Sequence, residues 1–158
     1  MSKTVPVCSG DAMFWAYDVA LGILFFEAAR VGAETPADTR PAWWPDLEED
    51  LRTQLVVNTS VLLDHYDDEQ RRLLLDCVTE AARRIEARGG VSRDEVAAWD
   101  EIEEDATRWL RGAEHITPAP LVELATAIVD LTHGTLPPAP PGRHWLFGTP
   151  AGRTIQGT

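Results

Sequence analysis

The stretch FWAYDVALGILFFEAAR, residues 14–30, decides how the rest of the chain is read. A run this apolar suits a membrane span, an export signal or the core of a fold. From Ala12 to Phe26 there are 15 residues carrying one charge, Asp18. A spanning helix needs about 20 apolar residues and loses roughly 2.5–3.5 kcal/mol to a central Asp. Val31–Ala33 has the small residues of a cleavage site, yet Lys3 alone makes a poor basic leader, and Asp11 and Asp18 interrupt the apolar run after it. The reading that remains is a core helix over residues 12–31. Trp15, Val19, Gly22 and Phe26 would line one side and Met13, Tyr17, Leu21 and Leu24 the other, so the helix is apolar nearly all round and central in its fold.

Working outward, helical punctuation recurs. Pro45 suits a first helical position, with Asp46, Glu48, Glu49 and Asp50 at the positive end of the dipole, and Leu47, Leu51, Leu55 and Leu62 predict a second helix over 45–64. The indoles of Trp43 and Trp44 would clamp its entry to the core. Asp67 with Gln70 begins a third helix, striped by Leu73, Leu74, Cys77, Val78, Ala81 and Ile85 and closed by Gly89. Ser92 with Glu95 caps a fourth, carrying Val96, Trp99, Ile102, Ala106, Trp109 and Leu110 to Gly112. A fifth runs from near Thr117 to Gly134 through Leu121, Leu124, Ala125, Ile128 and Leu131. No stretch reads as sustained period-two alternation. The expected fold is therefore all-α: a single-domain bundle of about five helices over residues 1–135. Residues 136–158 form a Pro/Gly-rich tail whose aromatic cluster, His144 to Phe147, either folds back on the bundle or enters another molecule's groove.

Fourteen basic residues against 26 acidic ones give a net charge of −12. That field repels phosphates and anionic lipid, so direct binding to nucleic acid or a membrane is disfavoured, whereas a basic protein partner is attracted. Cys8 and Cys77 lie far apart and fit no zinc spacing, which suits a reducing, cytoplasmic setting. Lys3 is the only lysine against 13 arginines, a habit of GC-rich bacterial genomes.

Chemical motifs are sparse. Asp18, a carboxylate in an apolar helix with no basic residue at i±3 or i±4, must be hydrogen-bonded, paired or protonated, and is one candidate acid. Asp64 and His65 open the ligand-rich LLDHYDDEQ, which lacks both EF-hand spacing and the Glu-x-x-His pairs of di-iron bundles. Asp130 and His133 share a helix face but complete no site. No metal or cofactor is expected. Seven carboxylates crowd residues 94–105, among them Glu101, Glu104 and Asp105. Glu48 and Glu49 begin the doubled-Glu pattern with which all-α nucleotide pyrophosphohydrolases hold magnesium, but Arg52 stands where the third carboxylate should fall, and the resemblance ends there.

Two functional readings suit these residues. One is a non-enzymatic binding protein of the inhibitor, immunity or adaptor kind, with Trp145 and Phe147 as anchors and Glu101, Glu104 and Asp105 steering a basic partner. The other is an enzyme or small-ligand binder with an interhelical pocket near Trp15, Tyr17 and Trp99, using Asp18, Asp64 or His65 as acid, base or metal ligand. Homo-oligomerisation is left open.

Overall fold

The computed structural model describes residues 4–57, 59–99, 110, 112–150 and 152–156. Its first element corrects the all-α, helical-bundle expectation. Residues Thr4–Ser9 and Ala12–Tyr17 are strands β1 and β2 of an antiparallel hairpin, and helix α1 begins only at Asp18, running to Ala33. The fold is mixed α/β. Gly10, at φ +59°, supplies the positive φ that a two-residue Gly-Asp hairpin turn requires. Alternation then selects the strand: Val5, Val7, Phe14 and Ala16 are sealed in the core while the residues between them are partly exposed.

Three more strands complete the sheet in the order β3-β1-β2-β6-β7. Strand β3, Val61–Leu62, runs parallel to β1, pairing Val7 with Val61 and Cys8 with Leu62. Pro6 lies just outside that pairing, where β1 has a neighbour on one side only and a missing N–H costs no ladder bond. Strand β6, Arg143–Phe147, runs parallel to β2, and β7, Thr154–Gln156, pairs antiparallel with β6. A separate two-stranded ribbon joins β4, Val91–Ser92, to β5, His115–Ile116.

The second expected helix is also corrected. Helix α2 spans Trp44–Thr53, not 45–64. The β-branched run after it turns away from helical geometry: Val56 and Val57 are exposed, and Val61 is drawn into the sheet. Helix α3, Asp68–Ala87, has the full capping box, with the Gln70 N–H donating to Asp67 Oδ1 at 2.8 Å and the Asp67 N–H to Gln70 Oε1 at 2.9 Å. Helix α4 runs only from Arg93 to Ala97, its Ser92 hydroxyl accepting from the Glu95 N–H at 3.1 Å and Ala98 at its C-cap, short of the expected fourth helix, of which residues 100–109 and 111 lie outside the described residues. Helix α5, Pro118–His133, ends on left-handed Gly134.

Helix α1 is the hub. It packs against α2, α3 and α5, and α5 also crosses β1, β2 and β6. Within it Glu27 is only 4% exposed and is held by Arg88 at 3.1 Å and Arg30 at 3.4 Å; Arg88 continues to Glu95 at 2.8 Å, tying α1 to the end of α3 and the start of α4. Phe26 stacks on Trp99 with centroids 4.4 Å apart. Trp44, 2% exposed, is the clamp on α2: a Cβ on Gly32 would come within 2.0 Å of its ring. Backbone and indole are in direct contact there, with no room for a methyl group. Gly32→Ala is expected to cost about 2 kcal/mol through overpacking, read as a lower urea midpoint at unchanged m value. An unshifted midpoint would remove this contact from the forces that hold α2.

Candidate functional site

The three candidate catalytic residues do not form one constellation. Asp18 is 3% exposed in the first turn of α1, where Oδ1 accepts from the Val19 N–H at 2.8 Å, and a negative charge there complements the helix dipole. Asp64 reaches the hairpin, Oδ2 accepting from the Gly10 N–H at 2.6 Å. It belongs to a single 3-10 turn, Leu63–His65, which the contact fastens to the β1–β2 turn. Of the three, His65 lines a cleft. Trp15 and Trp99 are separated too, for Trp15 is on the sheet and Trp99 lies against α1. Among the described residues, no three His, Cys, Asp or Glu side chains gather closely enough to hold a metal ion.

The His65 cleft has a volume of about 380 Å³ and lies between α2, the 54–66 segment and α3. Phe25, Leu51 and Leu74 form an apolar floor, and Asp50, Gln54, Thr59, Ser60, His65 and Tyr66 supply the polar walls. Gln54 is buried with its amide satisfied, Nε2 donating to the Thr59 carbonyl at 2.9 Å and Oε1 accepting from the Thr59 hydroxyl at 3.2 Å. The Tyr66 hydroxyl donates to Asp50 Oδ2 at 2.7 Å. Burial, and then that carboxylate, push the phenol well above the usual tyrosine range.

Trp145 and Phe147 lie on the helical side of the sheet. Their rings stack with centroids 5.7 Å apart, the Trp145 indole donates to the Pro137 carbonyl at 2.7 Å, and Phe147 meets Phe14 edge-on at 5.2 Å. With Val122, Thr126 and Leu136 they line a shallow cleft of about 370 Å³ beside α5. Glu101, Glu104 and Asp105 lie outside the described residues.

A surface that the sequence does not announce lies on the other side of the sheet. Strand register places Leu62, Cys8 and Met13 in one cross-strand row and Pro6, Trp15 and Leu146 in the next. Their neighbours in the strands, Val7, Val61, Phe14 and Ala16, point into the core under α5, so these six point away from it. Met13, Trp15 and Leu146 are half-buried yet do not pack on the core cluster. The outward row is thus nearly as apolar as the inward one. A signal is present in VPVCS-GD-AMFWAY, two runs split by a hairpin dipeptide, but apolar residues on both faces hide the period of two.

Two measurements test this geometry. A phenol pKa raised on folding contributes stability that is complete below the unfolded value of about 10 and is lost as pH rises through the folded value. Stability should therefore decline above pH ~10, and Tyr66→Phe should remove that part of the decline; an identical alkaline profile in the variant would contradict the Tyr66–Asp50 pair. Thiol alkylation of the native protein should modify Cys8, on the outer face, and spare Cys77, which is 3% exposed and has its thiol pushed up to about 11 by burial. Equal labelling of both would count against the register. Searches against protein-family models, curated proteins and solved structures find no match to this chain.

Proposed function

We propose that the chain is a non-catalytic binding protein that docks a basic protein partner on the outer face of its sheet. The observation that carries this reading is the partly exposed apolar face formed by Pro6, Cys8, Met13, Trp15, Leu62 and Leu146 on the side of the sheet away from the described core. Sheets bury one face readily, whereas an open face of this composition in an isolated domain marks a contact surface. Supporting it, the three candidate catalytic groups are dispersed, and two of them hold backbone amides.

The charge balance sets the partner's chemistry. The net charge of −12 draws in a basic surface, and Asp11 and Asp64 stand at the hairpin end of the face. Five strands ~4.8 Å apart, two to six residues long, cover on the order of 350 Å². That is less than the about 800 Å² each partner contributes to a standard interface. Contact must extend past the sheet, and steering by carboxylates supplements burial. Glu101, Glu104 and Asp105 act in that steering, and the Trp145–Phe147 cleft lies on the opposite side of the sheet from the docking face.

The test uses the intact chain as bait in a lysate of its source cells, followed by binding kinetics on the recovered partner. Leu146→Arg, outward-facing and thus compatible with folding, should weaken capture about tenfold or more. Raising salt from ~50 to ~300 mM should slow association, as should Glu101→Lys combined with Glu104→Lys. A partner held equally by wild type and Leu146→Arg, at a salt-independent rate, would refute the reading.

A further inference from the structure

We infer that the cleft of Asp50, His65 and Tyr66, adjoining the outer face through Leu62, receives an alkylammonium group, the side chain of a lysine on the basic partner. The inference deepens the protein-binding reading and takes from it the source of the lysine. The shape and polarity of the cleft come from the structure alone.

Leu62 belongs both to the outer row of the sheet and to the cleft wall, so the recess opens at the edge of the proposed docking face. Leu62 gives the cleft wall an exposed aliphatic edge. Val56, Val57 and Leu62, at 40%, 52% and 39% exposure, are the large apolar side chains left exposed among the described residues, and all fall within the segment bordering this cleft. Exposed aliphatic groups at an opening are stabilised by an aliphatic stem laid across them.

On the polar wall, the formal charge among the described lining residues is that of the exposed Asp50. An anion is thereby disfavoured and a cation favoured, more so in a protein of net charge −12. The Tyr66 hydroxyl holds Asp50 Oδ2 at 2.7 Å, which fixes the carboxylate and leaves Oδ1 as the acceptor for an incoming group. A guanidinium binds carboxylates best through both oxygens, and one is already engaged. An ammonium, a compact charge on a flexible four-carbon stem, needs only the other, and the Ser60 hydroxyl and His65 ring stand on the same walls for its remaining protons. A volume of about 380 Å³ admits the stem.

Amide NMR titration of the intact chain with Nα-acetyl-lysine methylamide tests this without the partner. Expected are saturable shifts at Thr59, Ser60, His65 and Tyr66, little response to the uncharged norleucine analogue, and binding about fivefold weaker or worse in Asp50→Asn. Tyr66→Phe should free the second oxygen and narrow the preference for the lysine probe over its arginine analogue. Absence of saturable shifts, or unchanged affinity in Asp50→Asn, overturns the proposal. Binding of n-butylammonium with refusal of the lysine probe overturns its lysyl source and assigns the cleft to free amines. Leu146→Arg should leave the probe's affinity intact. Loss of partner capture in that variant, with no probe binding to wild type, would therefore sink the cleft and leave the sheet-face reading standing.

Discussion

Helix α1 has to be kept from water on nearly every side, and the rest of the molecule is arranged to do that. Of its 16 residues, Asp18 to Ala29 and Gly32 are buried. A helix at the surface needs cover on one stripe; this one needs it all round. The sheet, α2, α3 and α5 together provide it, and glycines at 22 and 32 let Leu55 and Trp44 approach the helix more closely than a Cβ would allow. The buried Glu27 is tolerated because Arg30 and Arg88 meet its two oxygens, so the charge is paired rather than stranded.

The same packing shapes the surface. The large helices described are drawn to α1, and among the described residues it is α5 that covers the sheet, on one face. A lone sheet usually presents polar side chains to solvent, but here, Thr4 aside, the outward positions of β1 and β2, with Leu62 and Leu146 beside them, are aliphatic, aromatic or sulfur-bearing. The requirement that makes α1 a hub and the proposal of a docking face are thus two results of one packing solution. Asp64 joins them: its carboxylate binds the hairpin turn, fastening the outer face to the wall of the Asp50–Tyr66 cleft.

How much is legible in the residues varies with the range of the determining interactions. The boundaries of α3 and α5 are readable because capping is local: Asp67 and Gln70 are three residues apart, and Gly134 closes α5 by its own left-handed backbone. Glu27 with Arg30 is readable for the same reason, whereas Arg88, 61 positions from Glu27, is not. Of the site, His65 stands out in the sequence, but Asp50 reads there as a complement to a helix dipole and nothing local marks Tyr66; the pair is defined by a hydrogen bond across 16 positions.

From the residues alone come an apolar core segment at 14–30, strong negative charge and the punctuation of α3 and α5. Among the described residues no helix is long and apolar enough to cross a membrane. Tertiary structure decided that Ala12–Tyr17 is a strand, that Arg143–Phe147 returns beside it, and that Leu62 leaves a helical stripe for the sheet. The physical reason is that helical periodicity and caps are satisfied within a few residues, whereas a strand is stabilised only by a partner. For Trp15 that partner is Leu146, brought alongside by the packing of everything in between.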